Sequence, residues 1–221
     1  MSNDVSLELG PASLTEALYE SVRKRIVNGH IPQGTKLTEM GLATEYKVAR
    51  PTAKAVLERL AALGLLRRTA HKTAVVPTLD ADEIRDLFFS RATVERAAVA
   101  QLAGTGEVPA QARRAQAAME YAAREGLYED QVEADIAFHS ALVAAVGSRR
   151  LARMHELILG EVQLTMGQYQ AHRTAKPSTV AGEHAAIIRA IQAGDPDKAA
   201  KHLDHHLSQA EKRVLKLLQS G

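Results

Sequence analysis

The stretch that decides the fold runs from Val48 to Leu66 and has the sequence VARPTAKAVLERLAALGLL. Arg50 and Lys54 are four residues apart, so they share one face of a helix. The opposite face carries an apolar stripe made of Val56, Leu57, Leu60 and Leu63. A helix with one basic face and one buried face, preceded by another short helix, is typical of a helix-turn-helix that enters a DNA major groove. An ordinary amphipathic surface helix would give the same local pattern.

Composition limits the classes of protein to which this chain can belong. The 221 residues suffice for one large domain or two modest ones. Tryptophan and cysteine are absent and aromatic residues make up 4%, so small aliphatic residues must build the core, which favours close-packed helices. No apolar run approaches the roughly 18 residues of a membrane span, and the first residues lack the pattern of a secretory signal. We therefore expect a cytoplasmic protein with no membrane partner.

Charge is distributed unevenly along the chain. Residues 1–77 contain 11 Lys and Arg against 7 Asp and Glu, whereas the remainder contains 17 against 19. A basic first part and a slightly acidic second part are typical of a nucleic-acid-binding module joined to a domain of another kind.

The residues around the Val48–Leu66 stretch predict a small DNA-binding fold. A first helix is predicted from Ser13, a candidate N-cap with Glu16 three residues later, and it ends at Asn28-Gly29. Residues 30–37 are predicted to form a loop, and Thr38 to cap a short helix that ends at Tyr46.

The segment after Gly64 predicts the remaining part of this fold. Residues 67–77 have the pattern of a short hairpin with a basic tip at His71-Lys72 and a β-branched return strand. Three helices and a basic hairpin make a winged helix-turn-helix.

Residues 14–77 resemble the GntR family of bacterial transcription regulators. The resemblance rests on LTEALYESVRKRIVNGHIPQGTKLTE (14–39), LATEYKVARPTAKAVLERLAALGLL (42–66) and the hairpin. It implies that Arg50 and Lys54 contact DNA from the recognition helix, since a guanidinium can grip guanine with two hydrogen bonds. It also implies a phosphate contact by Thr52 and contacts to the minor groove or the backbone by His71 and Lys72.

Three positions depart from the family pattern. Ala49 stands where the family usually has a helix-capping Ser or Thr, although Pro51 suits the first turn of a helix. Thr73 replaces a common wing glycine, and Met40 stands where the family often has a DNA-contacting arginine. We therefore expect an operator that differs from the commonest one of the family.

From Leu79 onward the pattern is helical throughout. Apolar periodicity with caps and breakers at Asp80 or Asp82, Gly104, Pro109, Gly147, Pro177 and Asp195 predicts six helices. Their approximate predicted ranges are 80–102, 109–124, 128–146, 151–171, 177–193 and 195–218. The predicted fold class is therefore mainly α, with an N-terminal winged helix-turn-helix and an antiparallel six-helix bundle.

Several polar side chains are predicted to point into this bundle. Asp135 and His139 lie four residues apart on the apolar face of the third bundle helix, and His184 lies on an apolar face of the fifth. The last helix adds a histidine for which spacing does not choose between His202 and His206. Three imidazoles and one carboxylate suit zinc, with nickel and manganese as alternatives. A single histidine in such a position is more often an ordinary hydrogen-bonded core or boundary residue.

Residues 80–218 resemble the FCD effector domain of FadR-type GntR regulators, and the count of six helices resembles the VanR-type subgroup. The matching pieces are RATVE (91–95), DIAFH (135–139), EHAAIIRAIQAGD (183–195) and HHL (205–207). The resemblance implies metal ligation by Asp135, His139, His184 and His206. It also implies that Arg91 helps to hold the carboxylate of a small effector; a salt bridge from Arg91 to Glu95 is the structural alternative.

Together these features predict a homodimeric transcription regulator, most simply a repressor, that binds an operator and releases it when a small carboxylic acid reaches the metal. The predicted boundaries are a flexible N-terminus (1–12), a DNA-binding domain (13–78) and an effector-binding and dimerisation domain (79–221). The alternatives are a metal-dependent enzyme acting on a small carboxylate and a regulator whose metal is purely structural.

Overall fold

The computed structural model describes residues 11–68, 73–170 and 176–219, without the side chains of residues 11–13 and 177. The chain divides into two compact units, Met1–Pro77 and Thr78–Gly221. Among the described residues, no helix combines the length and the apolar character that crossing a membrane requires.

The first unit is a winged helix-turn-helix, as the sequence predicts. Its described elements are α1 (Pro11–Val27), β1 (Lys36–Thr38), α2 (Glu39–Tyr46), α3 (Arg50–Ala62), β2 (Arg67–Arg68) and β3 (Thr73–Val75). The strands form an antiparallel sheet in the order β1-β3-β2, in which Val75 lies opposite both Lys36 and Arg67.

Local interactions determine where α2 and α3 begin. The Thr38 hydroxyl accepts a hydrogen bond from the Gly41 amide at 3.0 Å, which confirms the predicted cap of α2. Helix α3 follows Ala49, whose methyl group cannot accept such a bond, and has Pro51 in its first turn. Val56, Leu57 and Leu60 of α3 are buried, so three residues of the predicted apolar stripe form part of the core of this unit. The fourth, Leu63, follows the helix and is half-buried.

Two local predictions for this unit are wrong. Helix α1 begins at Pro11 rather than at Ser13, because proline is well suited to the first helical position. Lys36–Thr38 forms a strand within the segment predicted as a loop, because it pairs with β3, which is 35 or more residues later in the sequence. The predicted wing-tip residues His71 and Lys72 lie outside the described residues.

The second unit contains six helices in its described part, the number that the sequence predicts. They are α4 (Ala81–Thr105), α5 (Ala110–Glu125), α6 (Tyr128–Ala145), α7 (Arg149–Gln168), α8 (Pro177–Gln192) and α9 (Pro196–Leu218). Asp80 and Glu83 form a reciprocal capping box at the start of α4, and Asp195 caps α9 through the Lys198 amide. Ser148 caps α7, which therefore begins two residues earlier than predicted.

The core of the second unit is mostly aliphatic, but it also encloses a group of polar side chains. Leu142, Ile187 and Leu203 are among its fully buried apolar residues. The buried polar and charged side chains of this unit are Arg91, Glu95, Gln116, Gln131, Asp135, His139, His155, Thr165, His184 and His206. Burial of a polar group is unfavourable unless partners satisfy it, so this group marks the interior site.

Candidate functional site

The interior site is built from four side chains that three helices bring together. Asp135 and His139 are one turn apart on α6, while His184 comes from α8 and His206 from α9. All four are almost completely shielded from solvent. Residues that are up to 71 positions apart in the chain therefore meet in one small volume, as the four-part sequence resemblance implies.

The donor atoms of these four residues lie within 4.8 Å of one another. The Nε2 atom of His206 is 3.1 Å from that of His139 and 3.3 Å from that of His184. The Asp135 Oδ1 atom is 3.2 Å from His184 Nε2 and 3.9 Å from the other two nitrogens. Ligand bonds of about 2.0–2.1 Å in tetrahedral geometry separate donors by about 3.3 Å. The donor set therefore fits a divalent metal ion, and the cluster could hold one.

Two further carboxylates direct the imidazole lone pairs toward the centre of the cluster. Glu95 Oε2 is 2.7 Å from His139 Nδ1, and Glu183 Oε2 is 2.8 Å from His206 Nδ1. An ionised carboxylate only accepts hydrogen bonds, so the bond to Glu183 requires a protonated Nδ1 on His206, and the close contact with Glu95 favours the same tautomer in His139. The Nε2 atoms of neutral His139 and His206 then carry the lone pairs, which is the arrangement found around metal-bound histidines.

The electrostatic environment keeps these histidines neutral. Burial lowers the pKa of His139, and it outweighs the opposing effect of Glu95. Burial, together with the neighbouring His184 and His139 rings, lowers the pKa of His206 well below its ordinary value. Neutral imidazole is the form that binds metal.

Glu95 connects the metal cluster to its surroundings. In addition to its close contact with His139, it accepts hydrogen bonds from Arg91 Nε at 2.8 Å and from His155 Nε2 at 2.9 Å. Burial acts to raise the pKa of Glu95, but Arg91 and His139 overcome it and hold this pKa well below its ordinary value. From the sequence, Glu95 is predictable only as a partner of Arg91, and no spacing points to His155 or Glu183.

The ring of His184 is held by an aromatic neighbour. Phe138, which is fully buried, stacks on it with ring centroids 4.1 Å apart and an interplanar angle of 18°. Phe138 immediately precedes His139, so α6 supplies both a donor to the cluster and a support for a second donor.

Arg91 lies beside the cluster and is 0% exposed. Its Nε atom forms the predicted ion pair with Glu95, but its Nη2 atom is 4.0 Å from Asp135 Oδ2, too far for a hydrogen bond. Neither Nη1 nor Nη2 has a hydrogen-bond partner in the described part of the chain. The salt bridge that sequence analysis considered as an alternative is therefore present, and it leaves one edge of the guanidinium available.

The structure also separates the neighbouring histidines of α9. His206 is fully buried and lies in the cluster, whereas His202 is half-buried and His205 is exposed. His205 therefore provides a natural control position for His206.

The candidate DNA-binding surface lies in the first unit, on the side of α3 opposite its buried stripe. The side chains of Arg50 and Lys54 are 58% and 54% exposed, and Thr52 is half-buried. Arg50 Nε donates to the buried Glu39 at 3.2 Å, which orients the guanidinium, and Lys54 Nζ is 3.8 Å from Glu58. Because both side chains are largely exposed, they can exchange these carboxylate partners for a phosphate or a base.

A winged helix-turn-helix joined to a separate helical unit is an architecture of DNA-binding regulators. Comparison with protein families is specific: residues 14–76 match the gntR family of bacterial regulatory proteins, and residues 86–209 match the FCD domain. The chain belongs to the gntR family and carries an FCD domain, so it is a transcription regulator of the GntR/FCD type.

Relatives in other bacteria are named as regulators. The chain is 27% identical over 206 residues to the uncharacterized HTH-type transcriptional regulator BphR of Paraburkholderia xenovorans (strain LB400), covering 88% of this chain and 82% of that protein. It is 25% identical over 204 residues to a Paenarthrobacter nicotinovorans protein named "Probable D-xylose utilization operon transcriptional repressor", covering 92% and 89%.

Solved structures have the same fold. A GntR transcriptional regulator from Rhodococcus sp. RHA1 superposes with a TM-score of 0.77 at 24% identity, covering 92% of this chain and 98% of that one.

Proposed function

We propose that the protein is a repressor whose operator binding through α3 is controlled by a small carboxylic acid bound at a metal ion in the second unit. The observation that carries this proposal is the convergence of four buried donors next to an arginine with an unused guanidinium edge. Since its target is chromosomal DNA, we place the protein in the cytoplasm.

Asp135, His139, His184 and His206 would hold the metal, with zinc as the expected ion and nickel or manganese as alternatives. When bound, a divalent ion supplies a strong positive charge that attracts the oxygens of a carboxylate. Glu95 and Glu183 fix the orientation of two ligand imidazoles, so the site is arranged before any metal or acid arrives.

Arg91 would hold the carboxylate of the effector from α4. Glu95 fixes its Nε atom and therefore the plane of the guanidinium, while Nη1 and Nη2 remain to donate. Two parallel N–H groups match the two oxygens of a carboxylate, so the pair would be selective in geometry as well as in charge.

DNA recognition would use Arg50 for base contacts and Lys54, with Thr52, for phosphate and nearby groups. His71 and Lys72 would add wing contacts. The acidic neighbours Glu39 and Glu58 orient the two cations in the free protein. DNA phosphates would replace the longer of the two contacts, which joins Lys54 to Glu58.

Regulation requires two copies of the recognition helix, because operator half-sites are paired. We propose a homodimer in which the acid binds more tightly to the state that fits DNA poorly; without such a difference, no population would shift. Helices α4 and α7 carry the exposed apolar side chains Phe89, Met154 and Leu157, which support self-association through the second unit.

The enzyme alternative requires a base that can accept a proton from a metal-bound water. Glu95 is close to the cluster, but its Oε1 atom accepts hydrogen bonds from Arg91 and His155, and Arg91 and His139 hold its pKa well below the ordinary value, which makes it a poor base. This arrangement favours a binding site. The alternative of a purely structural metal predicts instead that chelation lowers stability without changing any response to acid.

The proposal is tested by measuring DNA binding to the region upstream of the protein's own gene with fluorescence anisotropy, at several salt concentrations. We expect Arg50→Ala to weaken binding to this DNA, whereas Arg114→Ala, which removes an exposed arginine from α5, leaves it unchanged. Adding small carboxylic acids to metal-loaded protein should release the DNA. Binding that is indifferent to every acid, with metal confirmed bound, would contradict the control by an acid.

A further inference from the structure

A second arginine faces the metal cluster from α9. Arg213 follows His206 by seven residues, which places the two side chains on the same helix face, two turns apart. Helical side chains tilt toward the N-terminus of their helix, so Arg213 leans back toward His206. Sequence analysis did not single out this residue, because an arginine near the end of a helix ordinarily lies on its solvated surface.

The guanidinium of Arg213 is partly buried and incompletely satisfied. Its Nε and Nη2 atoms are shielded from solvent and have no hydrogen-bond partner among the described residues. Burial lowers the pKa of Arg213, and the charges of Glu183 and Asp135 oppose this effect. The guanidinium therefore lies in the electrostatic field of carboxylates that also face His206.

Neither carboxylate hydrogen-bonds to these two nitrogens. Glu183 Oε2 accepts from His206 Nδ1, and Asp135 Oδ1 faces the Nε2 atoms of the three clustered histidines. Arg91 has a similar unsatisfied edge, made of Nη1 and Nη2, on the neighbouring helix α4. Two guanidiniums with unused, buried N–H groups thus lie in the electrostatic field of the cluster carboxylates.

The charges favour an anionic occupant. Glu95, Asp135 and Glu183 carry three negative charges, which Arg91, Arg213 and a divalent ion exceed by one when the clustered imidazoles are neutral. One carboxylate balances this charge, and the second is indicated by the unsatisfied N–H groups of Arg213. A first carboxylate between the metal and Arg91 satisfies only one of the two guanidiniums. The N–H groups of Arg213 would then stay buried without an acceptor, which is unfavourable.

We infer that Arg213 is the second anchor of the effector site and that the effector is a dicarboxylic acid. One carboxylate would lie between the metal and Arg91, and the other would accept hydrogen bonds from Arg213. This inference rests on the proposed function, because it needs an acid at the metal, and it adds the number of acidic groups that the acid carries.

The test is isothermal titration calorimetry of full-length, zinc-loaded protein with acids that are paired by carbon number. Succinate is compared with butyrate, and glutarate with valerate. For the wild-type protein we expect the better diacid to bind at least about tenfold more tightly than its monoacid, since charged, buried hydrogen bonds have effects of this size.

The variants separate the two arginines. Arg213→Gln should weaken diacid binding about tenfold or more and leave monoacid binding within about threefold. Arg91→Gln should weaken both kinds of acid. Lys212→Gln removes a neighbouring exposed charge from α9 and should change neither.

Circular dichroism and metal content verify that the variants are folded and loaded with zinc. Arg213→Lys, which keeps the charge but not the planar fork, should give an intermediate loss of diacid binding.

Two results would overturn the inference in different ways. Equal affinity of the wild-type protein for diacids and monoacids, or an equal loss of both in Arg213→Gln, would remove the second anchor and leave the proposed function intact. Failure of the wild-type protein to bind any of the four acids, with zinc confirmed, would count against both.

Discussion

Arg50 in the first unit and Arg91 in the second lie in opposite environments. Arg50 in the first unit is more than half exposed and pairs with a single carboxylate, whereas Arg91 in the second unit is fully buried and belongs to a network of Glu95, His139 and His155. An exposed cation contributes little to folding and is available to a partner. A buried one is fixed by the fold, so a substitution there changes stability and binding together.

The largest loss of stability is expected from a substitution of Glu95, which lies at the centre of the buried network. Glu95→Ala removes the acceptor of two hydrogen bonds and a close contact to His139, and it leaves the Arg91 charge buried without its closest counter-ion. We expect a loss of about 3–5 kcal/mol in the free energy of unfolding, measured by urea denaturation. Glu129→Ala, at an exposed position of α6, is the control and should cost little. A similar cost for both variants would show that the network is not special.

Removal of the metal should lower the thermal stability of the second unit. A metal present at about 1,000 times its dissociation constant stabilises the folded state by about 4 kcal/mol, so chelation should lower Tm by roughly 8–16 °C at this chain length. His206→Ala should abolish this sensitivity, whereas His205→Ala, which changes its exposed neighbour, should retain it. Calorimetry gives both values, and an equal response of the two variants would argue against ligation by His206.

Substitutions on α3 should affect DNA binding strongly and stability only slightly. Arg50→Ala should cost about 1–3 kcal/mol of operator binding and relax specificity at one base pair, with almost no change in Tm, because the side chain is largely exposed. Lys54→Ala should lower affinity for all DNA sequences and reduce the salt dependence by about one counter-ion. A large loss of stability in Arg50→Ala would indicate that its bond to Glu39 is structural.

The smallest effect is a gain. Ala49→Ser supplies the capping oxygen that α3 lacks, and it should stabilise the first unit by about 0.5–1 kcal/mol. Pro51 has no N–H, so the new hydroxyl at position 49 can accept a hydrogen bond only from the Thr52 amide. Thermal unfolding measures the gain. No gain at all would mean that the present bond from the Thr52 amide to the Ala49 carbonyl, at 3.0 Å, already satisfies that amide.

The two units also differ in how much of them can be predicted from sequence. Helix boundaries were predictable at the Asp80 capping box and the Asp195 cap, which are local devices, although the Ser148 cap of α7 was missed. Strand β1 was not, because Lys36–Thr38 becomes a strand only by pairing with β3. Propensity is local, whereas a ladder depends on a distant partner.

In the candidate site, too, local contacts were predictable from the sequence and contacts between helices were not. Asp135 and His139 were predictable as a pair because four residues separate them on one helix. The contacts of Glu95 with His155, and of Glu183 with His206, join residues from different helices that no spacing connects. Arg213 was missed for the same reason, although its distance of seven residues from His206 is a signal that could have been used.

The central claim, that the buried cluster binds one divalent ion per chain, is tested most directly by elemental analysis of purified, dialysed protein. We predict about one zinc ion per chain for the wild-type protein and for His205→Ala, and close to none for His206→Ala, with all three folded by circular dichroism. A wild-type protein that stays free of metal in excess zinc, or a His206→Ala variant that binds as much metal as the wild type, would contradict the account.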